Sequence, residues 1–559
     1  MRNLSWLAFT FAIAFGFSLQ AADSPLGQIS DEADVVIRIR AFDATVEKVA
    51  ALANAVQPGI GDLVSQNATM FGVVLSNPAL TGVDRTKDFY LVLFVREEGE
   101  PKALFAIPTT DGAAMQKAIA EGQPNFESQV RENWVFYADK DHGVPAAVEA
   151  TESLATLLSQ TKAQAVFENS DIGLHINVGH ITDVYDAQIQ EGRQKFEAGI
   201  QQGLNTPGVE NAESVVEILK LEADLAFQLL EETSTFTMGV TATDSGLEIE
   251  DYIDFEADSE LAACLKRQPT SKFAGLSKLG VELPLYVGIS ADFSDMMDFG
   301  GKIMASLYKS EEIRQTMQDY AQTLKQSKAN TMVMSLDLTS GTHGLFRACT
   351  LVETKSAADL LAAGRKMAAA SKSLKISGVT QETTLEPEAE TIGTRKIDVM
   401  TVKQTPDPNQ PGAQMQTMIT GIMFGPQGLQ TRMTALADGI LQVQGGDKEA
   451  MEAALTAYDA NLNSLTDARE GLAEDSHLLV LFDLPGMVTN GMLAATTIPG
   501  IPIPFQRAAV EDLQIGRSYT AISAVGEEHA VRIKTKVPVE QFQGVLKLVE
   551  FVQSIRGGQ

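Results

Sequence analysis

The stretch DVVIRIRAFDATVEKV, residues 34–49, contains the pattern that decides the fold. Apolar side chains alternate along its first half, which predicts a β-strand, and their spacing then changes to that of a helix. The same order returns after Pro284 in LYVGISADFSDMM, residues 285–297. Both stretches therefore predict a strand that leads directly into a helix.

The predicted elements downstream of these two stretches also follow one another in the same order. In the first half, Phe89–Val95 and Ala103–Ile107 predict a hairpin that leads to a helix. In the second half, Met332–Leu338 and Leu345–Val352 predict the same arrangement. We interpret the repeated order as two tandem, diverged copies of one module, although recurring hairpin and helix units in an ordinary α+β protein would imitate part of it.

The predicted fold class is α+β, with an antiparallel sheet in each copy and helices packed on one face of that sheet. A cluster of proline and glycine between Gln268 and Gly280 predicts the boundary between the copies. The chain is divided accordingly into a signal peptide, a first repeat with a helical insertion, and a second repeat with a mobile loop near residues 404–416. Their ranges are residues 1–22, 23–272 and 273–559.

The first 22 residues have the three parts of a secretory signal peptide. Arg2 supplies a positive charge, the run from Leu4 to Leu19 is mainly apolar, and Ala21 and Ala22 are small residues suited to cleavage. The run is shorter than the roughly 20 apolar residues that span a bilayer. We predict export to the periplasm or the medium, with no stable membrane span after cleavage; an uncleaved anchor is the alternative.

The composition is that of a globular protein with a strong negative charge. Hydrophobic residues make up 44% and charged residues 21% of the 559, which excludes a largely disordered, collagen-like or multi-pass membrane chain. Lys and Arg number 43 against 73 Asp and Glu, so the net charge is −30. A field of this sign repels phosphate backbones, and we predict no nucleic-acid partner.

Motifs that carry chemistry are few. Ser306 and Lys309 match the Ser-x-x-Lys spacing of some hydrolases, but the companion motifs Ser-Asp-Asn and Lys-Thr-Gly do not occur in the chain. The segment Asp139–Gly143 resembles the start of a calcium loop, yet Ala150 stands where the closing carboxylate is needed. We interpret the first as a helix surface and the second as a turn, so no catalytic, cofactor-binding or metal-binding residue is predicted.

Histidine and cysteine are also sparse. His175 and His180 are five residues apart, which in a strand places their side chains on opposite faces, so we interpret both as surface residues and not as ligands of one metal ion. Cys264 and Cys349 are the two cysteines of the chain. We favour two buried free thiols, and one disulfide in an oxidising compartment is the alternative.

Two features of the second half are compatible with an apolar ligand. Fifteen of the 19 methionines follow Lys272, and flexible thioethers suit an adaptable pocket as well as an ordinary core. The segment IPGIPIPF, Ile498–Phe505, is unusually apolar for a proline-rich connection. It is a buried connection, a lid or a docking surface, and its exposure distinguishes these.

The strand and helix order at Asp34–Val49 and Leu285–Met297, behind a signal peptide, resembles that of large exported bacterial proteins of unknown function with a duplicated α+β body. The resemblance spans most of the chain and implies no catalytic residues. The leading hypothesis is therefore an exported, non-enzymatic binding or scaffold protein of the bacterial cell envelope. The alternatives are a carrier of an apolar ligand such as a lipid and an envelope hydrolase, and no cofactor is predicted.

We expect the exported protein to begin at Ala22 or Asp23, because cleavage after Ala21 or Ala22 removes the apolar run. Amino-terminal sequencing and intact-mass measurement of protein recovered from the periplasm of a Gram-negative host will check this. Recovery of the full-length chain in the membrane fraction, with Met1 retained, would show an uncleaved anchor instead.

Overall fold

The computed structural model describes residues 24–557 except 76, 160, 205–211, 296, 298–310, 340–342, 377–378, 410–411, 462–464 and 499–502. The predicted signal peptide and the Ser306–Lys309 motif lie outside the described residues, as does the middle of Ile498–Phe505. Helices and strands both occur throughout the described chain, which agrees with the mixed helix and strand content predicted from the sequence. Among the described helices, none combines the length and the apolar character needed to cross a bilayer.

Two compact units make up the described chain. The first contains the residues up to Gln190 and the segment Leu229–Ser259. The second contains Glu191–Gln228 and the chain from Glu260 onward. The boundary near Lys272 that the sequence predicts between the two copies stays a prediction.

The first unit is built on an antiparallel sheet with the strand order β4-β5-β3-β2-β1-β6-β7-β8. Each strand pairs with neighbours that run in the opposite direction, so the predicted antiparallel sheet is confirmed. The strands are β1 (Val35–Ile39), β2 (Phe89–Phe94), β3 (Lys102–Pro108), β4 (Phe126–Arg131), β5 (Trp134–Asp139), β6 (Ile172–Asn177), β7 (Thr233–Thr243) and β8 (Gly246–Phe255).

Helices connect the strands of the first unit, and 3₁₀ turns lie at Pro25–Gln28 and Ala150–Glu152. Two long helices occupy the stretch where the sequence predicts a helical insertion, and Glu191–Gln228 of that stretch groups with the second unit. The helices from Phe42 to Glu232, of which α8 and α9 lie largely in the second unit, are α1 (Phe42–Val56), α2 (Ile60–Thr69), α3 (Phe71–Val74), α4 (Gly112–Gly122), α5 (Leu154–Ser159), α6 (Ala163–Asn169), α7 (Val178–Val184), α8 (Asp186–Leu204) and α9 (Ala212–Glu232).

Helices cover both faces of the first sheet, so the prediction of helices on one face is wrong. On one face, Phe42 of α1 and Met115 of α4 pack against Tyr137 and other strand residues. On the other face, Leu154 of α5 and Phe167 of α6 complete a second apolar cluster. The alternation used for the prediction shows which residues share a face but does not show whether the second face is solvated.

The second unit contains a larger antiparallel sheet with the order β12-β13-β14-β15-β16-β11-β10-β9-β17-β18-β19. Its strands are β9 (Leu285–Ser290), β10 (Thr331–Leu338), β11 (Phe346–Glu353), β12 (Ser373–Ile376), β13 (Val379–Ile392), β14 (Arg395–Pro406), β15 (Leu429–Ala435), β16 (Gly439–Gln444), β17 (Leu478–Phe482), β18 (Thr520–Glu527) and β19 (Ala530–Pro538). Because β14 runs to Pro406 and a helix begins at Ala413, the connection is shorter than the loop predicted near residues 404–416.

The helices of the second unit also lie on both faces of its sheet. Met451 packs on one face with Phe273 of the chain before β9, and Leu324 and Leu360 pack on the opposite face. The helices are α10 (Glu260–Arg267), α11 (Glu311–Ser327), α12 (Ala357–Ala370), α13 (Ala413–Phe424), α14 (Lys448–Ala460), α15 (Thr466–Arg469), α16 (Leu484–Ala495), α17 (Arg507–Glu511) and α18 (Val539–Gly557). A 3₁₀ turn lies at Ala274–Lys278.

A phenylalanine lies directly over glycine in each sheet. In the second unit, a Cβ added at Gly288 of β9 would lie 2.6 Å from Cδ1 and Cγ of Phe273, which is fully buried. In the first unit, a Cβ at Gly173 of β6 would lie 2.9 Å from Cδ2 of Phe167. These glycines let a buried aromatic ring reach the strand backbone, and any side chain there would displace the ring.

We expect Gly288→Ala to destabilise the protein by about 1–3 kcal/mol, because the added methyl group overlaps the buried ring of Phe273. The matched control is Gly364→Ala in α12, where nothing lies within 4 Å of the added Cβ. That change should raise the free energy of unfolding by about 0.5–1 kcal/mol, since alanine favours a helix. Urea unfolding of both variants tests this, and a Gly288→Ala variant as stable as the wild type would contradict the packing described.

Candidate functional site

A cavity of about 560 Å³ lies in the second unit between α10 and the ends of β9 and β18. Its wall is mainly apolar, and a few polar side chains stand at one side. The lining residues are Cys264, Leu265, Gln268, Ile289, Ser290, Ala291, Asp292, Asp295, His477, Ala524, Val525, Gly526 and Val531. Small-molecule sites are usually apolar concavities of about 300–1,000 Å³ with a few converging polar groups.

Strand register explains why apolar side chains converge there. Leu478 of β17 pairs with Ile289 of β9 and with Ala524 of β18, so all three residues lie on one face of the sheet. Helix α10 packs against β18 on this face. Cys264 and Leu265 of that helix line the cavity together with the two strand residues.

The imidazole of His477 supplies a hydrogen-bond acceptor at the cavity. Its Nδ1 lies 2.9 Å from the carbonyl oxygen of Pro269. Because a carbonyl oxygen only accepts, Nδ1 must carry the proton, and Nε2 of the neutral ring is then an acceptor. Nε2 lies close to Gly526, where an added Cβ would be 2.9 Å from Nε2 and 3.5 Å from Leu265 Cδ2.

Two carboxylates stand at the mouth of the cavity. Asp292 accepts hydrogen bonds at Oδ1 from the backbone N–H of Ser294, at 3.0 Å, and from the Ser294 hydroxyl. The hydroxyl bond is the main cause of the lowered pKa of Asp292, which therefore carries a negative charge at neutral pH. Asp295 is exposed. Gln268 accepts a hydrogen bond from the backbone N–H of Asp292 at 2.8 Å, and this bond ties the mouth to the end of α10.

A second, larger depression of about 910 Å³ lies in the same unit between the 3₁₀ turn and α15. Two of its basic residues are bonded within the depression. Lys272 pairs with Glu474 at 2.6 Å, and Arg469 donates to the Lys272 carbonyl oxygen at 3.0 Å. These contacts connect the segment after α14 to the chain before β9, so this depression has a structural explanation.

The structure places His175 and His180 in different environments. His175 lies in β6 and is fully buried, so its interpretation as a surface residue is wrong. Its Nδ1 lies 2.8 Å from the Thr237 hydroxyl, and no described atom forms a hydrogen bond with Nε2. Burial lowers the pKa of His175 to about 4, so the ring is neutral at pH 7.

His180 lies in α7, because the strand ends at Asn177, whose side chain caps the helix. Its Nδ1 lies 2.6 Å from Oδ1 of Asp34, a fully buried carboxylate that also accepts from the backbone N–H of Val95 at 2.5 Å. A buried carboxylate that orients a part-exposed imidazole is an element of general-base sites. The Asp34 carboxylate also connects the ends of β1, β2 and β6, so it has a structural role.

The other residues considered from the sequence do not meet at one site. Cys264 lies in α10 and Cys349 in β11, and both are free thiols, with the pKa of Cys349 raised to about 12 by burial. Asp139–Gly143 forms a turn in which Asp139 accepts from the N–H of Asp141. No group of side chains suited to holding a metal ion occurs within the described ranges.

No methionine occurs among the described residues that line the cavity. Met115 and Met451 fill cores, and Met415 and Met418 are exposed on α13. The cavity instead uses aliphatic side chains and Cys264. The polar residues that line the cavity come from separate segments of the chain, so neither their spacing nor the local composition identified them in the sequence.

No protein-family model, curated protein or solved structure shows significant similarity to this chain.

We expect His175 to make stability depend on pH between 4 and 6.5. The histidine pKa is 6.5 in the unfolded chain and about 4 in the folded one, so the unfolded state takes up the proton first as the pH falls. This contribution is complete above pH 6.5 and is lost toward pH 4, to a total of about 3 kcal/mol. Gln at this position keeps a partner for Thr237 but does not titrate.

The measurement is the free energy of unfolding of the wild type and of His175→Gln at several pH values. The difference between the two proteins should change by about 3 kcal/mol from pH 7 to pH 4, with the wild type losing more. A difference that stays constant over this range would show that His175 is not a buried neutral group.

Proposed function

We propose that this chain is an exported binding protein of the bacterial cell envelope that carries a small, largely apolar ligand in the cavity beneath α10. The observation that carries the proposal is the cavity itself, whose volume of about 560 Å³ and aliphatic wall suit such a ligand. Leu265, Ile289 and Ala524 are only half-buried. Covering their remaining apolar surface would favour binding by about 25 cal/mol per Å².

We infer further that the two units descend from one module by tandem duplication. The support is the connectivity: β4-β5-β3-β2-β1-β6-β7-β8 in the first unit corresponds, strand by strand, to β15-β16-β11-β10-β9-β17-β18-β19 in the second. Asn177, the last residue of β6, and Asp483, which follows the corresponding strand β17, both cap the next helix through their side chains. In this interpretation β12–β14 are an insertion at one edge of the second sheet.

Export rests on the signal-like segment before Asp23 and on the resemblance to exported bacterial proteins. A scaffold role is the second candidate, and one observation favours it. Met415, Met418 and Ile419 form an exposed apolar stripe on α13, which contains no charged residue. Isolated exposed apolar residues are ordinary, but a stripe of three is typical of a contact surface. The hydrolase alternative depended on Ser306 and Lys309 and stays a prediction.

We expect Ala524→Phe to weaken ligand binding at least about tenfold, which is about 1.4 kcal/mol, because the new ring occupies the cavity. The probe is N-phenyl-1-naphthylamine, an uncharged fluorophore that brightens in apolar surroundings. The wild type should bind it at one saturable site. Ala453→Phe is the matched control, since Ala453 is exposed on α14 and lies outside the cavity.

The control variant should bind the probe as the wild type does. Absence of saturable binding to the wild type would overturn the proposed function. Equal binding by the wild type and both variants would place the bound probe elsewhere on the protein and would overturn the assignment to this cavity.

A further inference from the structure

We propose that the ligand of the cavity beneath α10 is an amphipathic amine, whose apolar body lies against the aliphatic wall and whose ammonium group lies beside the acidic mouth. This inference rests on the proposed function and specifies the chemical class of the ligand. It follows from the hydrogen-bonding character of the polar groups that line the cavity.

In its neutral form, the imidazole of His477 offers a hydrogen-bond acceptor to the cavity. Nδ1 donates to the carbonyl oxygen of Pro269 at 2.9 Å, so the free lone pair of the neutral ring is on Nε2. Nε2 lies beside Gly526 and Leu265, both of which line the cavity. A ligand group that bonds to Nε2 must therefore be a donor, such as an ammonium or a hydroxyl.

The carboxylates of Asp292 and Asp295 are acceptors with a negative charge. The Ser294 hydrogen bonds hold Asp292 in its ionised form, and Asp295 is three residues further along the chain. The charge of Lys325 is the weakest of the causes that shift the pKa of Asp292, and Lys325 does not line the cavity. Neither lysine nor arginine occurs among the described residues of the lining.

The remaining polar side chains of the lining do not supply a donor. The Gln268 amide oxygen accepts from the N–H of Asp292, and its nitrogen faces the carbonyl oxygen and sulfur of Cys264 at 3.5 and 3.6 Å. Ser290 alternates with Ile289 along β9, so its hydroxyl points to the opposite face of the sheet, where Tyr286 lies. The cavity therefore offers acceptors and negative charge to a ligand.

This arrangement distinguishes three ligands that share the same apolar chain. An ammonium head group donates to the acceptors and is attracted by the carboxylates. A hydroxyl group donates without the attraction between charges. A carboxylate group finds no donor among these residues and is repelled by the like charges of Asp292 and Asp295.

The test compares decylamine, decan-1-ol and decanoate, which differ at the head group. Isothermal titration calorimetry with the full mature chain at pH 7.5, below the critical micelle concentrations, gives the three affinities. We expect decylamine to bind most tightly and decanoate at least tenfold more weakly. Ala524→Phe should abolish decylamine binding, which would place the amine in the cavity.

Asp295→Asn tests the part played by the mouth. Because Asp295 is exposed, the substitution leaves the core unchanged. It should lower the affinity for decylamine at least threefold and raise that for decanoate. The matched control is Asp359→Asn, an exposed residue of α12 that changes the net charge of −30 equally; it should leave both affinities unchanged.

The outcomes separate this inference from the proposed function. If decanoate binds more tightly than decylamine, the amine assignment is overturned while the apolar carrier stands. If Asp295→Asn and Asp359→Asn have equal effects, the general field of an acidic protein attracts the amine, and the site-specific assignment is overturned. If none of the three ligands binds at a saturable site, the proposed function itself fails.

Discussion

Coverage of both sheet faces is the constraint on which the rest of this structure depends. It is clearest in β5, where Trp134, Phe136 and Ala138 belong to one core cluster and Val135 and Tyr137 to the other. A solvated face would leave some of these large side chains in water, at a cost of about 25 cal/mol for each Å² of apolar surface. The helices that connect the strands must therefore be divided between the two faces, and their placement follows from the strands.

The same constraint determines the partners of polar residues on the covered faces. Arg38 of β1 is buried, and its guanidinium donates to Asp88 at 2.7 Å and to the carbonyl oxygens of Phe167 and Glu168 near the end of α6. A buried guanidinium requires such partners, because an unpaired charge in the interior is very costly. His175 lies on the same face and is buried in its neutral form, which needs no partner of opposite charge.

The sequence predicted the fold to the extent that local patterns determine it. Strands such as β1 and β9, and the helices that follow the hairpins, were predicted because alternation and helical spacing are local properties. Coverage of the second face is a property of the whole unit, and for that reason His175 was assigned to the surface. The cavity was not predicted, for a related reason. His477 and Asp292 are brought together by strand pairing, and residues that meet in this way have no characteristic spacing in the sequence.

The position of the cavity has a physical cause in the length of α10. Eight helical residues extend about 12 Å, whereas the eight residues of β18 extend about 26 Å. The helix is therefore about half as long as the strand against which it packs. Pro269 prevents its continuation, since proline disfavours a helical conformation in the residue before it and lacks an N–H. The carbonyl oxygen of the same proline holds the proton of His477 on Nδ1. Pro269 thus ends the helix, which leaves part of the sheet face uncovered. Its carbonyl oxygen also binds Nδ1 of His477, so that Nε2 is the nitrogen on the cavity side.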